Sequence, residues 1–223
     1  MNKDLKGIFA VWKPKGPSSY DIIRELKRRV TEKKIGHAGT LDPRASGILV
    51  IAVGRDATKR IAEEVSKEKE YLASVRLGAE SSTDDAEGLK RVTHGAKHPK
   101  MSAVREGLKK FEGNIMQVPP VYSALKIQGK AAYARTRAGE QIKMEARPVF
   151  VKKIEFISYR WPYLKLRVVT GPGVYIRSLA RDIGKELGVG GYLAGLERSR
   201  IGEFTKKNAL KLTIRYKTPK RRQ

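Results

Sequence analysis

Gly36-His37-Ala38-Gly39-Thr40-Leu41-Asp42-Pro43-Arg44-Ala45-Ser46-Gly47 runs directly into Ile48-Leu49-Val50-Ile51-Ala52-Val53. Turn-forming residues followed by an unbroken apolar run read as a loop feeding a buried strand. The loop holds one carboxylate, Asp42, between Leu41 and Pro43. Pro43 fixes its own φ and pushes Asp42 toward extended backbone, so the carboxylate has a restricted direction. On local chemistry alone, an Asp-Pro pair in this setting is a turn.

The bulk properties narrow the classes around that stretch. At 223 residues the chain holds one sizeable domain, or one domain with a small insertion. With 40% hydrophobic and 32% charged residues it is a folding sequence rather than a disordered one. Lys and Arg total 48 against 23 Asp and Glu, a net charge of +25. That excess favours a polyanionic partner, because each phosphate contact releases condensed counterions. An anionic membrane surface is a weaker fit, since no long basic amphipathic helix carries a bulky apolar face. The N-terminus lacks a signal-peptide core and no apolar run reaches 18 residues, so a cytoplasmic protein with no membrane partner is expected. There is no cysteine, which excludes disulfides and thiolate chemistry. His37, His94 and His98 do not have zinc-like spacing, and no metal is expected.

Working outward, Gly7 to Trp12 is a short apolar strand, broken by Lys13-Pro14-Lys15-Gly16-Pro17. Ser18 or Ser19 can cap a following helix whose Ile22, Ile23, Leu26 and Val30 share a face. After the central strand, a helix from about Gly54 to Ser66 and a strand through Leu72-x-x-Val75-x-Leu77 are expected. Ser81 to Gly88 is an acidic turn. Its Asp84, Asp85 and Glu87 lack the later bidentate Glu of a calcium loop. A helix over Ser102–Phe111, a short helix closed by Gly139, and a hairpin of Val149–Ile157 and Leu164–Thr170 with a four- or five-residue connection follow. Gly171 to Gly184 is a turn feeding a helix, and Asn208–Leu212 reads as one helical turn before a basic tail. These patterns alone give only α+β or α/β.

The stretch GHAGTLDPRASGILV resembles the catalytic motif of pseudouridine synthases of the bacterial TruB type, enzymes that make pseudouridine in the tRNA T-loop. Further stretches agree in family order, from residue 7 to about residue 204. Lys13-Pro14-x-Gly16-x-x-Ser19 looks like the first motif. Ala57-Thr58-Lys59, Lys69-x-Tyr71, PPVYSALKIQGKAAYARTRAG over 119–139, Gly173-Val174-Tyr175-Ile176-Arg177-Ser178-Leu179 and Leu196-Glu197-Arg198 match later ones. Thr136, Val174, Gly191-Tyr192 and Glu197 depart from the usual residues. The PPVYSALK segment resembles the bacterial tRNA enzymes rather than their guide-RNA relatives.

The resemblance implies an α+β fold built on one mixed, largely antiparallel sheet flanked by helices. Residues 1–212 would be the catalytic domain, with an RNA-gripping insertion over about 79–117. Residues 213–223 would be a basic tail, without the family's usual C-terminal RNA-binding domain. Asp42 would be the catalytic carboxylate, paired with Arg177. Tyr71 would stack on the target base, Leu196 would wall the pocket, and Tyr175 would line it. His37 would position RNA, and Lys13 would support the loop or contact phosphate. The reaction breaks the uridine C1′–N1 bond, turns the base and joins C1′ to C5. Aspartate, with a reference pKa of about 3.9, supplies the ionised group at neutral pH. The base must leave its stack, at a cost of a few kcal/mol. No cofactor is implied, the partner is the tRNA T-arm, and a monomer is expected. Two rival readings remain: the same chemistry on another RNA, and a non-catalytic RNA-binding or chaperone protein.

Overall fold

The computed structural model describes residues 3–95, 97–123, 125–127 and 129–214. Its elements begin β1 (Gly7–Lys13), α1 (Ser19–Arg29), β2 (Ile35–Ala38), β3 (Ser46–Val53), α2 (Arg55–Ser66) and β4 (Lys69–Leu77). They continue β5 (Ala79–Ser81), β6 (Lys90–Val92), α3 (Met101–Lys109), β7 (Gly113–Gln117), β8 (Lys126–Ile127), β9 (Lys130–Ala131) and α4 (Ala132–Arg137). The last are β10 (Arg147–Arg160), β11 (Tyr163–Thr170), α5 (Ile176–Glu186), β12 (Gly191–Ile201), β13 (Phe204–Thr205) and β14 (Leu210–Lys211). The class is α+β, with a mixed, mostly antiparallel main sheet. Met1–Leu72 with Leu196–Gln223 forms one compact unit, and Ala73–Gly195 forms a second. Strands β4 and β12 have residues in both.

In the first unit the apolar run is the central strand. Along one edge β3 pairs antiparallel with β1, from Gly7↔Val53 to Lys13↔Gly47. Along the other edge β2 covers Val50–Val53, and β12 takes over in parallel at Ser46 and Gly47. The loop carrying Asp42 therefore leaves the sheet where the neighbour of β3 changes from β2 to β12. Both faces of β3 are buried, as an unbroken apolar run requires. Leu49, Ile51 and Val53 pack with Ile22, Ile23, Leu26 and Val30 of α1 and its end. Ile48 and Val50 pack on the other face with Ala10, Ala38 and Ile201, and Ile61 of α2 lies against them. Ser18 caps α1: its hydroxyl accepts from the Asp21 amide at 3.1 Å, and the Asp21 carboxylate accepts from the Ser18 amide at 2.9 Å. Such a capping box is worth about 1 kcal/mol.

Two expectations change here. Gly36-His37-Ala38 is not loop but strand β2, so the loop proper is residues 39–45. Residues 208–212 do not form a helical turn. Leu210 and Lys211 extend the sheet beside β1, at Val11↔Leu210 and Trp12↔Lys211. One helical turn has too few hydrogen bonds to hold itself, whereas an unpaired strand edge offers partners at once.

In the second unit β11 and β10 form a long hairpin and β7 lies on the far edge of β10. The connection is two residues, Trp161-Pro162, because Arg160↔Tyr163 and Tyr159↔Leu164 continue the ladder that the sequence pattern assigns to a longer turn. The expected insertion over 79–117 includes β7, which pairs with β10 from Arg147↔Gln117 to Val151↔Gly113. Gly184 of α5 sits so close to the next turn that a Cβ there would lie 2.2 Å from the Gly191 amide nitrogen. Residues 215–223 of the expected basic tail lie outside the described residues.

Candidate active site

Five of the seven candidate residues lie in the first unit: Lys13, His37, Asp42, Tyr71 and Leu196. Asp42 is partly exposed, and the chain on either side of it is fixed. The Ala45 amide donates to the Asp42 carbonyl at 3.0 Å, closing a turn over Pro43-Arg44. Before Asp42, the buried Ser19 hydroxyl accepts from the Leu41 amide at 2.9 Å and donates to the Leu41 carbonyl at 3.0 Å. After it, the Pro43 carbonyl accepts from the Gly16 amide at 2.7 Å. Ser18 takes the helix cap, which leaves Ser19 for this work.

Lys13 is completely buried beneath the same loop. Its ammonium donates to the carbonyls of Pro17 at 2.8 Å, Pro14 at 3.0 Å and Pro43 at 3.3 Å. Three donors meet three acceptors, which fits loop support and leaves none for a phosphate. Burial pushes the Lys13 ammonium down to about 8, the Asp42 carboxylate pulls it up, and the Arg198 guanidinium pushes it down again. This coupling places Lys13 and Asp42 in one electrostatic neighbourhood. His37 pairs with Ile51 in the β2–β3 ladder, and its ring is half-buried, with Nδ1 unpartnered. Burial and then the Arg198 charge lower its pKa, so the ring is neutral at physiological pH. Tyr71 lies on the buried side of β4, and Leu196 is partly exposed on β12.

In the second unit Tyr175 and Arg177 stand at the start of α5. The buried Gln117 side chain grips the Tyr175 main chain: its oxygen accepts from the Tyr175 amide at 2.8 Å and its nitrogen donates to the carbonyl at 3.2 Å. The Arg147 guanidinium lies 5.4 Å from the Tyr175 ring centre and donates to the Gly173 carbonyl at 2.7 Å. Arg177 is buried, donates to the Tyr122 carbonyl at 2.8 Å, and has Asp85 at 3.6 Å. One turn on, Arg181 bonds Asp84 at 2.8 Å, while the Ser178 hydroxyl and Arg181 both donate to the Val118 carbonyl. The prolyl segment before Tyr122 is thereby fastened to α5. Burial pushes the Asp84 carboxyl up, against the pull of Arg181 and Arg177. The acidic turn is thus charge-matched by arginines.

The sequence places Ser19, Lys69 and Arg198 in matched stretches without giving them a role at the site, and it does not single out Gln117 or Arg147. The partners of Ser19, Arg198, Gln117 and Arg147 are far away in the chain, so no spacing marks them. Lys69 is buried and donates to the Val65 and Lys67 carbonyls at the end of α2; burial and then Arg198 lower its pKa to about 8.

Residues 27–176 match the model of the TruB family pseudouridylate synthase N-terminal domain. A tRNA pseudouridine synthase B of Corynebacterium diphtheriae is 42% identical over 223 residues, covering 95% of this chain and 73% of the relative. The chain belongs to the TruB family of pseudouridylate synthases. A tRNA pseudouridine synthase B of Parabacteroides distasonis, 42% identical, covers 86% of this TruB-family chain and 84% of its own. Among solved structures, a chain in the crystal structure of a Cbf5–Nop10–Gar1 complex is 29% identical with a TM-score of 0.71. The match covers 92% of this chain and about half, 52%, of that one. Membership makes the chain an isomerase and sets aside the reading as a bare RNA-binding module. No helix among the described residues is long and apolar enough to cross a membrane.

Proposed function

We propose that this TruB-family chain converts a uridine in the T-loop of tRNA, position 55, to pseudouridine, with Asp42 as the reacting carboxylate. The observation that carries the reading is the pinned loop. Asp42 is the loop's one carboxylate, it leaves the sheet where β2 gives way to β12, and the residues beside it are held by Ser19, Gly16 and Lys13. A carboxylate held in one place by its neighbours acts on a bound nucleotide with little entropy left to lose.

The uridine is flipped from the T-loop, where unstacking costs least. Tyr71 stacks on the uracil and Leu196 walls it, while Tyr175 and Arg177 hold substrate from the start of α5. Neutral His37 positions RNA rather than moving a proton. Lys13 fixes the loop from beneath. The net charge of +25 binds T-arm phosphates, so affinity falls steeply with salt. The enzyme works in the cytoplasm as a monomer, without metal or cofactor. Residues 1–212 carry the chemistry, the segment over about 79–117 grips RNA, and residues 213–223 are a basic tail.

Pseudouridine mapping of total RNA from cells with and without the gene tests the substrate. Loss of one T-loop pseudouridine across tRNAs is the expected result. Loss at a site in another RNA, with tRNA untouched, overturns the assignment while leaving the chemistry in place.

A further inference from the structure

Arg198, in the Leu196-Glu197-Arg198 stretch that matches the family pattern, is almost completely buried on β12. A guanidinium buried to this degree is costly unless its donors are met. Here Nε donates to the Ile48 carbonyl at 2.8 Å and Nη2 donates to the Gly39 carbonyl at 3.0 Å. Gly39 is the first residue of the loop that carries Asp42, and Ile48 stands just past its end on β3. One planar group therefore ties the two ends together.

The main chain of Arg198 braces the same place. It pairs with Gly47, which has a φ of +123°, and a Cβ on Gly47 would lie 2.2 Å from the Arg198 carbonyl oxygen. The guanidinium is kept there although its charge lowers the pKa of Lys13, His37 and Lys69. A lysine at this position would put a compact ammonium on a flexible stem in place of the rigid planar fork that holds the two carbonyls in a fixed relation.

We propose that Arg198 is a positioning residue for Asp42, fixing where the carboxylate stands by clamping Gly39 to Ile48 across the base of the loop. The inference rests on the reading of Asp42 as the reacting group. It adds a residue that contacts no substrate and acts through the loop backbone.

The test compares wild type, Arg198→Met and Arg198→Lys in single-turnover pseudouridine formation on an unmodified tRNA transcript. Protein concentration is varied to saturation, at a temperature where circular dichroism shows each variant folded. Misplacing a reacting group by about 1 Å costs on the order of 100-fold in rate. The saturated rate should fall about 100-fold in Arg198→Met and roughly tenfold in Arg198→Lys, which keeps the charge and loses the rigid fork. The half-saturating concentration should stay within about threefold of wild type, a split that general destabilisation does not produce. A folded Arg198→Met with a wild-type saturated rate overturns the inference, as does a loss confined to half-saturation. Should Arg198→Met not fold, Arg198→Lys decides by the same criteria. If neither folds, Arg198 is a folding residue and the inference fails. A wild-type chain that makes no pseudouridine overturns the underlying reading instead, which separates the two failures.

Discussion

Replacing Ser19 with alanine removes one oxygen atom and leaves two main-chain groups of the loop that carries Asp42 without their partner. The Ser19 hydroxyl accepts from the Leu41 amide at 2.9 Å and donates to the Leu41 carbonyl at 3.0 Å. Ser19 and Leu41 are each 2% exposed, so water does not replace the lost bonds without a rearrangement. An unsatisfied buried polar group costs about 1–3 kcal/mol, and two of them give about 2–6 kcal/mol. The helix cap is untouched, because Ser18 provides it. For a chain of this length each kcal/mol is worth about 2–4 °C, so Tm should fall by roughly 4–24 °C. Leu41 adjoins Asp42, and a loosened loop should also lower the saturated single-turnover rate by about tenfold or more. Urea unfolding and pseudouridine formation on one tRNA transcript, measured side by side, give both numbers. Stability within about 0.5 kcal/mol of wild type, the range of a neutral surface change, refutes the clamp. A large stability loss with an unchanged rate refutes the link between the clamp and Asp42.

Three more outcomes follow from particular contacts. Lys13 titrates near 8 in the folded protein and near 10.5 when unfolded, so between those values the unfolded chain holds the extra proton and stability rises with pH. Wild type should gain on Lys13→Met by up to about 3 kcal/mol between pH 8 and 10.5 in urea titrations; a constant difference refutes the buried charge. Asp84 and Asp85 face Arg181 and Arg177, so a chelator should leave the rate on a T-arm stem-loop within about twofold, and a collapse restored by a divalent ion argues against that pairing as their role. Gly184→Ala should cost more than about 3 kcal/mol, because its Cβ would meet the Gly191 main chain at 2.2 Å, and a neutral effect in thermal unfolding contradicts that contact.

The sequence is most legible where structure is local. The apolar run 48–53 reads as a buried strand because both faces of β3 are covered, and the capping residues before Ile22 locate the start of α1 within a residue. Asp42 stands out because it is the only carboxylate in a loop of turn-formers. What holds Asp42 in place is not legible. Arg198 reaches Ile48 across 150 residues, and Ser19 reaches Leu41 across 22. Lys13 alone carries an expectation of loop support, beside one of phosphate contact, and it lies under Pro43. An arginine in a strand and a serine near a helix start carry no mark of distant carbonyls. The β14 edge was missed for the same reason: two residues pair with β1 from nearly 200 residues away, and the local pattern supplies only a helix-like fragment. Resemblance to the TruB type supplies the residues expected to touch substrate. It gives no role to Ser19 and Arg198, which hold the loop.

The most direct test of the account is pseudouridine mapping on an unmodified tRNA transcript treated with wild-type protein and with Asp42→Asn in parallel. Modification of one T-loop uridine by wild type, with none by the folded asparagine variant, is the result the account requires. Equal modification by both would show that the pinned carboxylate is not the reacting group.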